Sequence, residues 1–153
     1  MKKILVLSDS HSYFDKALKI FEKEKPDIVI AAGDGIKDID ELSYVHPEVK
    51  YYMVKGNCDF FDRSHNEENL FAINGVKIFL THGHLYSVKR SLSSIKEIGK
   101  KLSVSLVIFG HTHKPYMEKD GDMILFNPGA TEDGRYGIII LENGNIQLFH
   151  KQL

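Results

Sequence analysis

The stretch KKILVLSDSH, residues 2–11, decides the fold. Its apolar run, Ile4–Leu7, is continuous rather than alternating, which is typical of a strand buried on both faces of a parallel sheet. The run ends at Ser8 and leads directly into Asp9 and His11. A buried strand followed at once by ligand-type side chains predicts an open α/β sheet with its site at the carboxyl ends of the strands.

The same arrangement recurs at the ends of four further apolar runs. A glycine before a polar residue is by itself an ordinary strand-ending turn. If these strand ends are neighbours, however, two carboxylates, one amide and up to five imidazoles converge, and such ligands suit Mn²⁺, Zn²⁺, Ni²⁺ or Fe²⁺. The four groups are Gly33-Asp34, Gly56-Asn57-Cys58-Asp59, His82-Gly83-His84 and Gly110-His111-Thr112-His113.

Strand and helix patterns alternate in the first half of the chain, which predicts a βαβαβ unit with parallel strands. Turn signals separate short strands in the second half, and Asn74-Gly75 predicts a type I′ hairpin. Mixed strands in this number indicate an α/β protein, α+β in some schemes, with two packed sheets. The predicted strands are Ile4–Leu7, Ile28–Ala32, Tyr51–Val54, Leu70–Ile73, Val76–Leu80, Leu106–Phe109, Met117–Lys119, Met123–Phe126, Gly137–Leu141 and Ile146–Phe149; the predicted helices lie between Phe14 and Pro26, around Ile39 and Leu42, and over Ser87–Leu102.

The composition indicates the size and class of the protein. The 153 residues, 42% hydrophobic and 27% charged, predict one soluble globular domain spanning residues 1–153. Twenty basic against 21 acidic residues give a net charge of −1, so we expect neither long nucleic acid nor membrane as a partner. The first apolar run is too short for a secretory signal, and one cysteine, Cys58, excludes an internal disulfide. We therefore expect a cytoplasmic protein.

The histidines favour a metal site over a purely structural role. Five of the eight lie in the strand-end groups, while His46, His65 and His150 are expected in loops or on the surface. One histidine on an apolar strand is more often a hydrogen-bonded structural residue than a ligand. Five at matched strand ends, each near an aspartate or a glycine, are better explained by metal binding.

The ordered series of these groups resembles the calcineurin-like metallophosphoesterases. Cys58-Asp59 after Asn57, together with the short chain, is similar to the small prokaryotic YfcE-type phosphodiesterase subfamily. The resemblance implies a two-sheet β-sandwich flanked by helices, in four layers. It also implies two divalent metal ions, with Mn²⁺ as the first choice and Ni²⁺, Zn²⁺ or Fe²⁺ as alternatives. Asp9, His11 and His113 would hold the first ion, Asn57, His82 and His111 the second, and Asp34 would bridge both.

The activity that the resemblance implies is metal-dependent phosphoester hydrolysis, and more specifically that of a phosphodiesterase. A small phosphoester would be hydrolysed by in-line attack of a hydroxide that bridges two ions, without a protein nucleophile. The alternative is a non-catalytic protein-binding scaffold of the retromer-subunit type with the same fold. All seven ligand positions are filled, which favours the enzyme. The substrate and homo-oligomer formation stay open.

Cys58 makes the acid step the least determined part of this mechanism. Many relatives carry histidine there, and the resemblance assigns that histidine to protonating the leaving group. A thiol, with a pKa of about 8.5, is a poorer acid near neutrality than imidazole. His84 is the substitute candidate, and its alternative is a surface or ligand-orienting histidine. We expect Asp59 to orient a ligand histidine, with a solvated turn residue as the alternative.

Two further motifs have open interpretations. Phe60-Phe61 is expected either to line a substrate or subunit contact or to pack in the core. Asn127-Pro128-Gly129, followed by Ala130, is similar to a subfamily loop that ends in serine, but a turn after a strand is the preferred interpretation over a substrate contact.

Overall fold

The fold consists of two five-stranded sheets packed face to face with helices on both outer sides, and the computed structural model describes all 153 residues, Met1–Leu153. The strands are β1 Lys2–Leu7, β2 Ile28–Ala31, β3 Lys50–Met53, β4 Glu68–Ile73, β5 Val76–Thr81, β6 Leu106–Ile108, β7 Tyr116–Asp120, β8 Met123–Asn127, β9 Arg135–Glu142 and β10 Asn145–Gln152. The helices are α1 Phe14–Glu24, α2 Ile36–Val45 and α3 Ser93–Lys101, with short 3₁₀ helices at His84–Tyr86 and Thr131–Asp133. No helix is long and apolar enough to cross a membrane.

Both sheets combine parallel and antiparallel strands. The first has the order β10-β9-β1-β2-β3, in which β1, β2 and β3 run parallel, as the βαβαβ pattern predicted. The second has the order β4-β5-β6-β8-β7, with β5, β6 and β8 parallel. Asn74 and Gly75 have φ of 49° and 81°, so the β4–β5 hairpin turns through two left-handed residues, as predicted.

Three apolar clusters separate four layers, and the predicted sandwich is therefore confirmed. The largest lies between the two sheets and includes Val6 and Ile30 from the first sheet and Leu80 and Ile108 from the second. A second joins the first sheet to α1 and α2, and a third joins the second sheet to α3. The central strands β2, β6 and β8, and most of β1, bury both faces, which explains their continuous apolar runs.

The helix predicted over Ser87–Leu102 is wrong in its first part. A 3₁₀ helix at His84–Tyr86 ends at Ser87, which is left-handed with φ of 51°, and residues 87–90 form a turn instead of a helix. The regular helix begins only at Ser93. Val88 is buried in the cluster beneath α3, so an apolar residue at helical spacing serves tertiary packing rather than a longer helix.

The two parallel strand sets end at the same end of the sandwich. Backbone hydrogen bonds join the loops that follow them: Asp9 N–H donates to Gly33 O (2.9 Å), His11 N–H to Asp34 O (3.0 Å) and Gly110 N–H to His82 O (2.9 Å). Loops that lie far apart in sequence are thereby fixed against one another. This end of the molecule carries the polar groups that the sequence placed after the strands.

Candidate metal centre

Six of the seven predicted ligand side chains meet at this end of the sandwich. They form two groups of closely spaced donor atoms, one after β1 and β6 and one after β2, β5 and β6, and a further group joins His11 and Asp34 to Cys58. The first group is Asp9, His11 and His113, and the second is Asp34, His82 and His111. His46, His65 and His150 lie outside both groups, as expected.

Asp9 is the centre of the first group. Its Oδ1 lies 3.2 Å from His113 Nε2 and 3.4 Å from His11 Nε2. Its other oxygen, Oδ2, accepts hydrogen bonds from Ser8 Oγ (2.6 Å) and from the backbone N–H of His111 (3.0 Å). Asp9 is fully buried, so one carboxylate oxygen fixes the side chain while the other faces two imidazole nitrogens.

Asp34 connects the second group to the first. Its Oδ2 lies 3.1 Å from His82 Nε2 and 3.7 Å from His11 Nε2. Its Oδ1 accepts the backbone N–H of Cys58 at 2.8 Å. His111 Nδ1 lies 3.2 Å from His82 Nε2 and completes the group. One carboxylate therefore stands between both sets of ligands, the position in which a bridging ligand is needed.

Two buried polar atoms of the site have no hydrogen-bond partner, as expected for atoms that coordinate a metal ion. Asp9 Oδ1 and His11 Nε2 are buried without a hydrogen-bond partner. An unpaired buried carboxylate oxygen is costly, and a divalent cation satisfies it together with the imidazole nitrogens around it. Carboxylate oxygen and imidazole nitrogen are ligands that Mn²⁺, Fe²⁺, Ni²⁺ and Zn²⁺ accept. The donor set therefore fits the two ions that the sequence implied.

The backbone of the site is held in a sparsely populated conformation. Of eleven non-glycine residues with positive φ, five are predicted ligands: Asp9, His11, Asp34, His111 and His113, with φ between 43° and 70°. Left-handed backbone costs an L-residue energy unless the surroundings enforce it, and such residues concentrate at functional sites. These left-handed turns orient the five side chains toward the two groups of donor atoms.

The ionisation of two members of the second group, Asp34 and His111, suits metal binding. Burial raises the pKa of Asp34, but the hydrogen bond and charge of His82 and the Cys58 N–H outweigh it, and this pKa lies well below its usual range. Burial and the charge of His82 lower the pKa of His111 to about 4. Asp34 is thus anionic and His111 neutral at pH 7, the protonation states that coordinate a cation.

Comparison with known proteins identifies the family. The family model described as the calcineurin-like phosphoesterase superfamily domain matches residues 1–142. The chain belongs to this superfamily. The probable metallophosphoesterase YsnB of Bacillus subtilis is 32% identical over 149 residues, covering 92% of this chain and 85% of that protein. The phosphodiesterase YfcE of Escherichia coli is 25% identical over 157 residues, covering 85% and 79%, in agreement with the YfcE-type resemblance.

Solved structures confirm the calcineurin-like phosphoesterase fold. Vps29 of Entamoeba histolytica, crystallised with Zn²⁺, superposes with a TM-score of 0.76 at 20% identity, and the match covers 98% of both chains. Likeness at this identity concerns the fold alone. The same architecture therefore occurs in a protein named for vacuolar sorting, and the activity has to be inferred from the side chains.

Glycine is required at two points of the calcineurin-like phosphoesterase centre. A Cβ on Gly56 would lie 2.2 Å from Asp34 Oδ1, and a Cβ on Gly110 would lie 2.7 Å from Asp9 Oδ2. Neither position has room for a side chain. The two glycines allow neighbouring loops to approach the two central carboxylates.

Asp59 has a different task from the one expected. Its buried carboxylate accepts the backbone N–H groups of Asp34 (2.8 Å), Gly56 (2.8 Å) and Ile36 (3.2 Å) and contacts no ligand histidine. The expectation that it orients a ligand histidine is therefore wrong, and so is the alternative of a solvated turn residue. Asp59 instead fixes the turn that presents Asp34.

The supporting roles of three further residues were not predicted from the sequence. Asp38 accepts Ser10 Oγ (2.5 Å) and the Ser12 N–H (3.0 Å), which holds the loop after β1. Asn127 donates from Nδ2 to Gly110 O (3.1 Å) and Thr112 Oγ1 (3.0 Å), so the motif interpreted as a turn also supports the loop after β6. Glu132 Oε1 lies 3.1 Å from His113 Nδ1. Only Asn127 had a signal in the sequence, its place in the Asn-Pro-Gly motif.

The remaining predicted residues lie beside the clustered ones. Asn57 is exposed on the turn after β3, with Nδ2 3.7 Å from Cys58 Sγ and no hydrogen bond to the two carboxylates, so its role as a ligand stays a prediction. Cys58 is exposed as well. His84 Nε2 lies 3.1 Å from Glu67 Oε2, and the His84 ring centroid is 6.2 Å from that of His111.

We expect Glu132→Gln to weaken metal binding at the first group without unfolding the protein. The carboxylate pairs with His113 Nδ1 and so leaves Nε2 directed at Asp9. Replacing such a partner typically lowers metal affinity 10- to 100-fold, and we expect about 10-fold here. Calorimetric titration of the metal-free protein with Mn²⁺ measures the change. Asp133→Asn, at the exposed neighbouring residue, is the matched control, and equal affinities in the two variants would contradict the prediction.

Proposed function

We propose that this chain is a phosphodiesterase that uses two divalent metal ions to hydrolyse a small phosphoester. Mn²⁺ is the metal we favour, with Ni²⁺, Zn²⁺ or Fe²⁺ as alternatives. The observation that carries the proposal is the position of Asp34 between two groups of donor atoms. A shared carboxylate is what a dinuclear site requires, whereas a closed structural site needs only one set of four ligands. Membership of the superfamily supports the same conclusion.

The residues of the chain have separable tasks in this reaction. Two bound divalent ions supply Lewis acidity, which lowers the pKa of a water molecule and offsets negative charge on phosphoryl oxygens. Asp9 and Asp34 supply the anionic charge that would hold them, and His11, His82, His111 and His113 supply imidazole nitrogen donors. His82 Nδ1 lies 2.7 Å from Ala32 O, so that nitrogen donates to the carbonyl and Nε2 stays directed at Asp34. We include Asn57 as the seventh ligand.

The charge of the chain favours a small substrate. A net charge of −1 gives the chain no overall attraction for a long polyanion such as nucleic acid. A phosphodiester is an anion, so the buried carboxylates of Asp9 and Asp34 would repel it unless metal cations offset the negative charges. We therefore propose a small phosphoester as the substrate, with neither nucleic acid polymer nor membrane as a partner.

Metal binding by itself does not separate the enzyme from a protein-binding scaffold. Vps29 of Entamoeba histolytica was crystallised with Zn²⁺ on the same fold. Hydrolysis does separate them, and the presence here of both carboxylates and all four clustered histidines favours the enzyme. The scaffold would show metal binding without turnover.

The test is an assay of metal-stripped protein after addition of Mn²⁺, Ni²⁺, Zn²⁺ or Mg²⁺. The substrates are bis(p-nitrophenyl) phosphate and the matching monoester, p-nitrophenyl phosphate, with release of p-nitrophenolate as the readout. We expect turnover of the diester with at least one ion, Mn²⁺ first, and slower turnover of the monoester. No turnover of either ester with any ion would refute the proposal and favour the scaffold.

The proton donor to the leaving group is tested by Cys58→Ser and His84→Gln. Burial and the charge of Asp34 raise the pKa of the Cys58 thiol, which makes it both a poor acid and a poor nucleophile near neutrality. We propose His84 as the donor. Because alkoxides need protonation more than aryloxides do, His84→Gln should slow an alkyl diester about 10-fold more than an aryl diester. Cys58→Ser should change both rates by less than about threefold, and the reverse pattern would assign the proton to Cys58.

A further inference from the structure

Two aromatic side chains stand exposed beside the candidate metal centre. Phe60 is 84% and Phe61 47% exposed, so the alternative that they pack in the core is wrong. Their ring centroids lie 6.0 Å apart in an edge-to-face arrangement. Single exposed apolar residues are common, but adjacent exposed rings next to a site are typical of ligand contacts.

Phe61 forms one wall of a cavity that opens onto the clustered ligands. The cavity has a volume of about 270 Å³, and its lining includes His11, Ser12, Asp34, Lys37, Cys58 and Phe61. Cavities of about 150 Å³ hold a benzene ring in proteins. There is therefore room for an aromatic ring together with part of a phosphoryl group.

Lys37 holds the Phe61 ring at this wall. It lies in the first turn of α2, and its Nζ is 4.5 Å from the ring centroid of Phe61. A cation over a ring face restrains the aromatic side chain and places positive charge at the mouth of the cavity. An anionic group with an aromatic substituent matches both features.

A second cavity near the centre also has an aromatic side chain and lysines, but it does not reach the clustered ligands. It is lined by residues that include Lys89, Thr112, Lys114 and Tyr116, but by none of the six clustered ligand residues. A substituent on a phosphoryl group bound at the metal ions that these six residues would hold is therefore nearer to the cavity at Phe61.

We propose that Phe61 and Lys37 form a specificity site for an aromatic substituent of the phosphodiester, so that the substrate class is nucleotide-type or aryl diesters rather than dialkyl diesters. This inference rests on the proposed phosphodiesterase function. Phe61 supplies a ring surface for the substituent, and Lys37 positions Phe61. The reacting phosphoryl group stays with the clustered ligands, so this site affects which ester binds rather than how it is cleaved.

The test compares the binding of phenylphosphonate and methylphosphonate to the Mn²⁺-loaded protein by calorimetry. The two probes share an anionic head group and differ in the ring. We expect the wild-type protein to bind phenylphosphonate at least 10-fold more tightly. Phe61→Ala should remove most of this preference while changing the Kd of methylphosphonate by less than about twofold. Phe61→Leu, which keeps apolar bulk without a ring face, should retain part of the preference.

The control is Tyr44→Ala, which removes an exposed aromatic residue near the other end of α2. It should leave the preference for phenylphosphonate unchanged. If the wild-type protein hydrolyses bis(p-nitrophenyl) phosphate while Phe61→Ala keeps the full preference, the specificity site is refuted and the proposed function stands. If the wild-type protein hydrolyses no diester with any ion, the proposed function fails and the inference fails with it.

Discussion

Replacing Asp34 by asparagine should abolish diester hydrolysis, with a loss of at least ~10³-fold in kcat/KM. The carboxylate stands between the two groups of donors, with Oδ2 3.1 Å from His82 Nε2 and 3.7 Å from His11 Nε2. An amide supplies one neutral oxygen and no negative charge, so it cannot serve both groups. Metal analysis of the purified variant should show a fall from two Mn²⁺ per chain to one or fewer.

The Asp34→Asn experiment needs a control for folding and for the chemical change. Circular dichroism should show unchanged secondary structure, because asparagine has the size of aspartate and keeps the contact with the Cys58 N–H. Asp122→Asn makes the same change at an exposed residue of the β7–β8 hairpin and should retain wild-type activity. If Asp34→Asn keeps more than a tenth of the wild-type rate with two ions bound, Asp34 does not bridge the two groups.

Asp59→Ala should reduce both the stability and the activity of the protein. The carboxylate accepts three backbone N–H groups, those of Asp34, Ile36 and Gly56, and the change leaves buried donors without partners. We expect the free energy of unfolding to fall by about 3 kcal/mol. For a chain of this size that is a decrease in Tm of about 6–12 °C. Activity should fall about 100-fold, because the turn that presents Asp34 loses its anchor.

Thermal unfolding and kinetics together distinguish a positioning role from a general loss of structure. At 20 °C the folded Asp59→Ala protein should still bind Mn²⁺, but more weakly, and higher Mn²⁺ should restore part of the rate. Asp59→Asn, which keeps one acceptor oxygen, should lie between the wild-type protein and Asp59→Ala. A wild-type Tm in Asp59→Ala would contradict the assignment of the three hydrogen bonds.

Much of the fold was predictable because its signals are local. The continuous apolar run of Ile4–Leu7 and the later runs predicted buried strands, and Asn74-Gly75 predicted a left-handed turn, since both depend on residues close in sequence. The helix over Ser87–Leu102 was predicted wrongly for the opposite reason. Val88 continues the helical spacing of apolar residues, but it is buried beneath α3 after a left-handed turn at Ser87. Local spacing does not distinguish an apolar residue in a helix from one that is buried from a turn.

The residues around the ligands were harder to predict than the ligands themselves. Aspartate and histidine after buried strands are a visible pattern, and six of the seven predicted ligands meet in the structure. The supporting residues Asp38, Asp59 and Glu132 contact loops or side chains that are distant from them in the sequence. Asp38 and Ser10, for example, are 28 residues apart. Their partners are mostly backbone groups, and every residue has these, so nothing in the sequence marks the pairing.

The sequence by itself determined most β-strands and the order of the polar groups, because these follow from the identity and spacing of nearby residues, and the ordered series of these groups carried the resemblance to the superfamily. Only the tertiary structure decided that Asp34 stands between two sets of donors, that Asp59 fixes the turn of Asp34, and that Phe61 lines a cavity instead of the core. Those facts depend on which strand ends become neighbours when the two sheets pack. That packing buries apolar surface from both halves of the chain, and no short stretch of sequence contains it.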